Sequence, residues 1–130
     1  MRFPLRTTWL SRLVLAPFRV ARDGYVELRD RGFQVRLGTL FDQEVAYAAV
    51  ESATPDRWPL SGGIGVRIGA GRRVGIISST GSVVRVRLRT PVRVPLAFGF
   101  EKSASELLLS VAAPAALIAA LERRTRAASA

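Results

Sequence analysis

Apolar and polar residues trade places with a period of two through much of this chain, and that pattern constrains the fold more than any other feature. In "YVELRD" Val26 and Leu28 share one face while Glu27 and Arg29 take the other; "RGFQVRLG" repeats the pattern with Phe33, Val35 and Leu37. Side chains alternate across a strand, so these two runs, joined at "RDRG", predict a β-hairpin with one buried face. "FDQEVAY" adds a third strand, with Phe41, Val45 and Tyr47 inward and Asp42 and Glu44 outward.

"AAVESATPDRWPLSGG" loses the alternation and gathers Pro55, Pro59, Gly62 and Gly63, so it reads as a connection between two groups of strands. A second meander follows. "GIGVRIG" sets Ile64, Val66 and Ile68 inward, "RVGIIS" sets Val74 and Ile76 inward, and "VVRVRLRTPVRV" sets Val84, Val86 and Leu88 against Arg85, Arg87 and Arg89. Pro91 and Pro95 cannot donate to a central ladder, which places an edge or a bend there. "SELLLSV" supplies one more strand. The period then changes in "AAPAALIAALERRTR", where Leu117, Ile118 and Leu121 share a helical face, Pro114 suits the first helical position, and Arg123 and Arg124 complement the dipole. "AASA" reads as a tail, with residues 125–130 disordered.

The expected fold is mostly β: a small antiparallel barrel or sandwich of about seven strands closed by one C-terminal α-helix. The expected division is a basic amphipathic leader over residues 1–22, one domain over 23–124, and the tail. In the leader, "TTWLSRLVLAP" places Trp9, Leu10, Leu13 and Val14 on one side of a short helix that Thr8 caps and Pro17 stops. Arg12 and Pro17 break its apolar run, so it is a poor signal peptide. No window approaches the ~20 apolar residues of a membrane-spanning helix. The expected location is the cytoplasm, with peripheral attachment to the inner face of the membrane as a variant.

The chain contains no cysteine and no histidine. That excludes a disulfide framework, a thiolate nucleophile, a Ser-His-Asp triad and a zinc site of the usual ligands. The glycine cluster "GGIGVRIGAG" is not a nucleotide loop: counting from Gly63, G-x-G-x-x-G would need glycine where Ile68 stands, and no Gly-Lys-Ser/Thr follows. The serines and threonines of "SSTGS" have no histidine or nearby lysine as base. Asp42 and Glu44 fall on a face that alternation turns to water. No catalytic residue, metal site or cofactor is expected.

Charge is distributed unevenly. Of twenty basic residues only Lys102 is lysine, and the formal net charge is +10. Arginine excess alongside many alanines and glycines fits the coding bias of a GC-rich genome better than selection for phosphate. Placement says more than the total. Residues 1–22 carry five arginines and no acid, residues 23–56 carry seven acids against three arginines, and residues 57–100 carry eight arginines and no acid. One side of the domain should be strongly positive unless the acidic third folds against it.

The run "YVELRDRGFQVRLG", the later "GIGVRIG", and the strand leading into a helix as "LLLSVAAPAALIAAL" resemble bacterial pleckstrin-homology-like domains. The order of "W", "YVEL", "RLG", "RW" and "GVR" is similar to an uncharacterised bacterial group of that type, over roughly residues 9 to 124. The resemblance implies a binding module and no active site. Such domains often carry an acidic residue before the proline that starts the helix; here Ala113 stands there.

The candidate contact residues are therefore the arginines Arg67, Arg72, Arg73, Arg85, Arg87, Arg89 and Arg93, facing an anionic partner. Phe3, Trp9 and Phe18 are candidate membrane or partner contacts, although packing of the leader on the domain is the plainer role for it. Trp58 reads as an anchor for the connection between strand groups. Four arginines at an anionic membrane are worth ~4 kcal/mol, a marginal anchoring that needs a second signal from the leader. Against nucleic acid, the stripe has no interleaved aromatic residue and the fold offers no helix free to enter a groove. The expectation is a non-enzymatic module binding a protein partner or an anionic membrane surface, with a nucleic-acid-associated basic protein next and an enzyme without a visible site third.

Overall fold

A computed structural model describes residues 2–5, 24–37, 41–58, 65–68, 73–77, 81–95 and 101–129. The strands β1 (Arg2–Pro4), β2 (Gly24–Leu28), β3 (Gly32–Leu37) and β4 (Phe41–Ala46) form an antiparallel sheet in sequence order. Its register is the one alternation demands. Phe3 faces Val26 and Val26 faces Val35, while Phe33 lies between Leu28 and Val45, so one side is apolar except where Gln43 faces Val35. The Arg29 amide donates to the Gly32 carbonyl at 2.8 Å and closes the first hairpin. Gly32 has no room for a side chain, because a Cβ would overlap the Val45 carbonyl oxygen of the paired strand.

A 3-10 turn (Tyr47–Ala49) leads into the second sheet, built from β5 (Val50–Trp58), β6 (Gly65–Ile68), β7 (Arg73–Ile77), β8 (Gly81–Pro95) and β9 (Glu101–Leu109). The strand order is β5-β8-β9-β7-β6. The inner faces of both sheets meet in one core with Leu117, Ala120 and Leu121 of the helix α1 (Pro114–Ser129), which packs against β5 and β8. The helix begins at Pro114 and buries Leu117 and Leu121, with Ile118 partly buried against the core, as the period-3.6 pattern predicts. It runs to Ser129, through most of the stretch read as a tail.

The sequence expectation is corrected at several points. Among the described residues the two sheets do not close into a barrel, and their four and five strands exceed the expected seven. The sheet pairing is not wholly antiparallel, since β7 and β9 run parallel. Alternation decides which face a residue takes and leaves strand neighbours open. Residues 50–58 form a nine-residue strand where a connection was expected. Among the described residues β5 pairs with β8 alone, which places it at the sheet edge, where Pro55 is tolerated. The start of the leader is a strand, and the helix expected over residues 8–17 lies outside the described residues. Leu5 continues β1 into an isolated bridge with Val111, and the Ala112 amide donates to the Pro4 carbonyl at 2.9 Å, so the chain start is tied to the entry of α1.

A second, smaller cluster lies on the opposite face of the five-stranded sheet. Trp58, Ile77, Val83 and Leu108 are buried together there, so one end of this sheet is apolar on both faces.

The first turn of α1 has no acidic residue, and the exposed Ala113 precedes it with its carbonyl accepting the Leu117 amide at 3.1 Å. Ala113→Asp supplies the missing side-chain cap and a favourable charge at the dipole. The expected gain is ~1 kcal/mol, read as a rise of the urea midpoint at unchanged m-value.

Candidate functional site

The stripe of arginines belongs to β8, whose Val84, Val86 and Leu88 enter the core and so turn Arg85 and Arg87 to the other face of the sheet. That face supplies carboxylates of its own. Arg87 and Arg73 reach opposite oxygens of Glu106, at 3.4 Å from Nη2 to Oε1 and 3.1 Å from Nε to Oε2. Arg85 stands 3.8 Å from Asp56 and donates from Nε to the Thr54 hydroxyl at 3.4 Å. Three guanidiniums therefore meet two carboxylates. The pairs are partly exposed, where each is worth no more than ~1 kcal/mol, and their effect is to lower the net charge of the face.

The stripe is then broken by two neighbouring β-bulges. On β8, Arg87 faces Glu106 and Val92 faces Ala104, so residues 88–91 of β8 are matched by Ser105 alone on β9. Pro91, lacking an amide hydrogen, falls inside this irregularity. On β5, Val50 faces Leu88 and Ser52 faces Arg87, which makes Glu51 an extra residue. Bulges re-aim the side chains they carry. Glu51 and Arg89 both line a groove of about 700 Å³ whose walls are residues 50–54 of β5 and Glu122, Thr125 and Arg126 of α1. The Arg126 Nε donates to the Glu122 carbonyl at 3.4 Å. Among the described residues, Glu51, Glu122 and Arg89 form no ion pair.

The other candidates separate. Arg93 is exposed beyond the bulge, opposite Ser103. Arg67 lies in β6 at the register position opposite Gly75. Arg72, Trp9 and Phe18 lie outside the described residues. Phe3 is buried in the core beside Val26, so it is not a surface contact in this fold. Trp58 is the last residue of β5 and is buried in the second cluster.

The acidic third of the chain serves mainly the outer face of the first sheet. Glu27 pairs with Arg2, and Arg29 contacts Glu27 at 3.4 Å and Glu44 at 4.0 Å. Gln34 accepts from Arg29 and donates to Asp42, each at 2.5 Å. Tyr47 donates to the Arg29 carbonyl at 2.7 Å, and burial raises its phenol pKa. Asp56 alone of this segment is ion-paired to the stripe among the described residues.

The hydrogen bond from Arg2 is the largest influence on Glu27 and, with Arg29, holds its carboxyl below the ordinary range. A folded pKa below the unfolded value contributes stability that is present above the unfolded pKa and lost as pH falls through the folded one. Glu27→Gln is therefore expected to flatten the acid limb of a stability-versus-pH curve below pH ~4.5 while leaving its shape near neutrality unchanged.

Glu51, Asp56, Glu106 and Glu122 were not legible as site residues in the sequence, since their roles depend on register. Pro91 was the visible signal of the bulge. No family model, curated protein or solved structure matches this chain.

Proposed function

We propose that this chain is a non-enzymatic, pleckstrin-homology-like binding module that docks a protein partner on the arginine-bearing side of its second sheet. Two sheets with one C-terminal helix packed on their shared core support the architectural reading. The observation that carries the functional reading is the interleaving of Glu106 and Asp56 with Arg73, Arg87 and Arg85. A surface of mixed sign, with guanidiniums held in fixed positions, suits the polar rim of a protein interface. An anionic membrane gains ~1 kcal/mol per basic residue near it, and two carboxylates within the patch offset most of that gain. The acids on this face are engaged by arginines and the chain has no histidine or cysteine, which supports a module without catalytic chemistry.

The test is a photo-cross-linking residue at position 93, compared with one at Asp42 on the first sheet, in the cells that make the protein. Protein adducts specific to position 93 are expected. In parallel, anionic and neutral vesicles should sediment the protein equally at an ionic strength of ~0.15 M. Sedimentation that requires anionic lipid and disappears in the Arg85→Ser, Arg87→Ser, Arg93→Ser variant would replace this reading with membrane attachment. Absence of adducts at position 93 would also overturn it.

A further inference from the structure

Among the described residues the ion pairs fall into three groups, and one of them does not balance. Arg2 and Arg29 meet Glu27 and Glu44, two charges against two. Arg85 and Asp56 match one to one. Arg73 and Arg87 share Glu106 alone, two guanidiniums against one carboxylate, so this triad keeps a charge of +1. Strand register builds it: Glu106 on β9 is the cross-strand partner of Arg73 on β7 and of Arg87 on β8, one on each side.

The triad is directed outward. The Glu106 side chain is 18% exposed, against 37% for Arg73 and 51% for Arg87, so the carboxylate forms a floor between two guanidiniums that rise to the surface. Its Oε2 takes the Nε of Arg73 and its Oε1 takes the Nη2 of Arg87. A guanidinium has five N–H donors in a planar fork. One contact each leaves donors on both arginines for an acceptor placed above the carboxylate. With β9 between them, β7 and β8 stand about 10 Å apart, two strand spacings. Both side chains lean inward to Glu106, so one small anionic group can reach the two together. Arginines already fixed in this way lose less freedom when a partner arrives.

Charge selects the group. One carboxylate brings the triad to neutrality, whereas a phosphomonoester, at about −1.5 to −2, overshoots it and is repelled by Glu106. We propose that Arg73 and Arg87 together bind one aspartate or glutamate side chain of the partner protein, seated over Glu106, which closes a network of two guanidiniums and two carboxylates. The inference rests on the reading of the chain as a protein-binding module and specifies the residue that the partner presents. Glu106 is a positioning residue, and Arg85, already matched by Asp56, stands outside the contact.

Selection of a random dodecapeptide display library on the full chain tests this, with the Arg73→Ser, Arg87→Ser variant as counter-selection and synthesis of an enriched peptide. The peptide is expected to carry an acid whose replacement by its amide weakens binding about tenfold. Arg73→Gln and Arg87→Gln should each weaken the parent peptide about tenfold and the amide peptide less than about twofold, because the contact is lost only once. Arg85→Gln should change binding less than about twofold. Phosphoserine in place of the acid should not improve binding to the unaltered protein. In Glu106→Gln both guanidinium charges stand unopposed, and the phosphoserine peptide should bind about threefold tighter than the parent or better. Thermal melts verify that each variant folds, and the amide peptide probes the contact on the unaltered chain. Failure to enrich any peptide overturns the inference, as does tighter binding of phosphoserine by the unaltered protein. So do enriched peptides indifferent to Arg73 and Arg87; if these respond to Arg85 or Arg93 instead, the protein-binding reading stands while the inference falls.

Discussion

Phe33→Ala is expected to lower the stability of the domain by about 3 to 5 kcal/mol, among the largest losses a single substitution can produce here. The ring is fully buried between Leu28 and Val45 in the register of the first sheet, and its centroid lies 6.4 Å from that of Tyr47. Removing it sacrifices the transfer of an aromatic side chain and leaves a cavity that strands fixed in register on both sides cannot close. Domains of this kind are stable by only ~5 to 15 kcal/mol, so the variant loses a large share of the total. Urea denaturation reads the effect as a fall in midpoint at constant m-value. A loss below about 1 kcal/mol would mean that the first sheet does not pack as described.

The first sheet was legible because it is buried on one face only. Val26, Leu28, Phe33, Val35 and Leu37 keep strict alternation, and each is buried. The second sheet obeys the same physics but conceals it. Val50 and Ala53 both enter the core although they are three residues apart, because the extra residue Glu51 shifts the phase between them. With Pro55 following, β5 reads as a loop. The doubled apolar residues Val83–Val84, Ile76–Ile77 and the triplet at 107–109 signal burial on both faces, and the structure accounts for them by the second cluster. Parallel pairing of β7 with β9 leaves no trace in alternation at all.

The arginine stripe shows the same limit at the level of function. Four arginines within nine residues of β8 look like one surface in the sequence. Three-dimensional register divides them into a pair neutralised by Asp56 and Glu106, one aimed at the groove, and one past the bulge. The carboxylates responsible come from β5 and β9, one of them outside the acidic third of the chain. Net charge by segment correctly located the excess; only strand pairing reveals where it is answered.

Trp58→Ala is expected to cost a further 3 to 5 kcal/mol in its own right, although the residue lies away from the main core. Its indole is 7% exposed and packs with Ile77, Val83 and Leu108 on the opposite face of the second sheet. Gly75 lies beneath the ring: a Cβ there would come within 3.0 Å of both Cη2 and Cζ3 of Trp58 and of Cγ1 of Ile77. Glycine at 75 is thus required by the tryptophan above it, which predicts coupling between the two sites. Gly75→Ala alone should destabilise by about 1 to 3 kcal/mol through overpacking. In Trp58→Ala the ring's part of the obstruction is gone, leaving only Ile77 Cγ1 close to the new methyl, and part of the cavity is filled, so the double variant should be more stable than the sum of the single losses implies, by ~1 kcal/mol. A double-mutant cycle in urea measures the difference. Strict additivity would show that the ring does not rest on Gly75, and a loss under about 1 kcal/mol for Trp58→Ala would remove the second cluster as a structural element of the sheet.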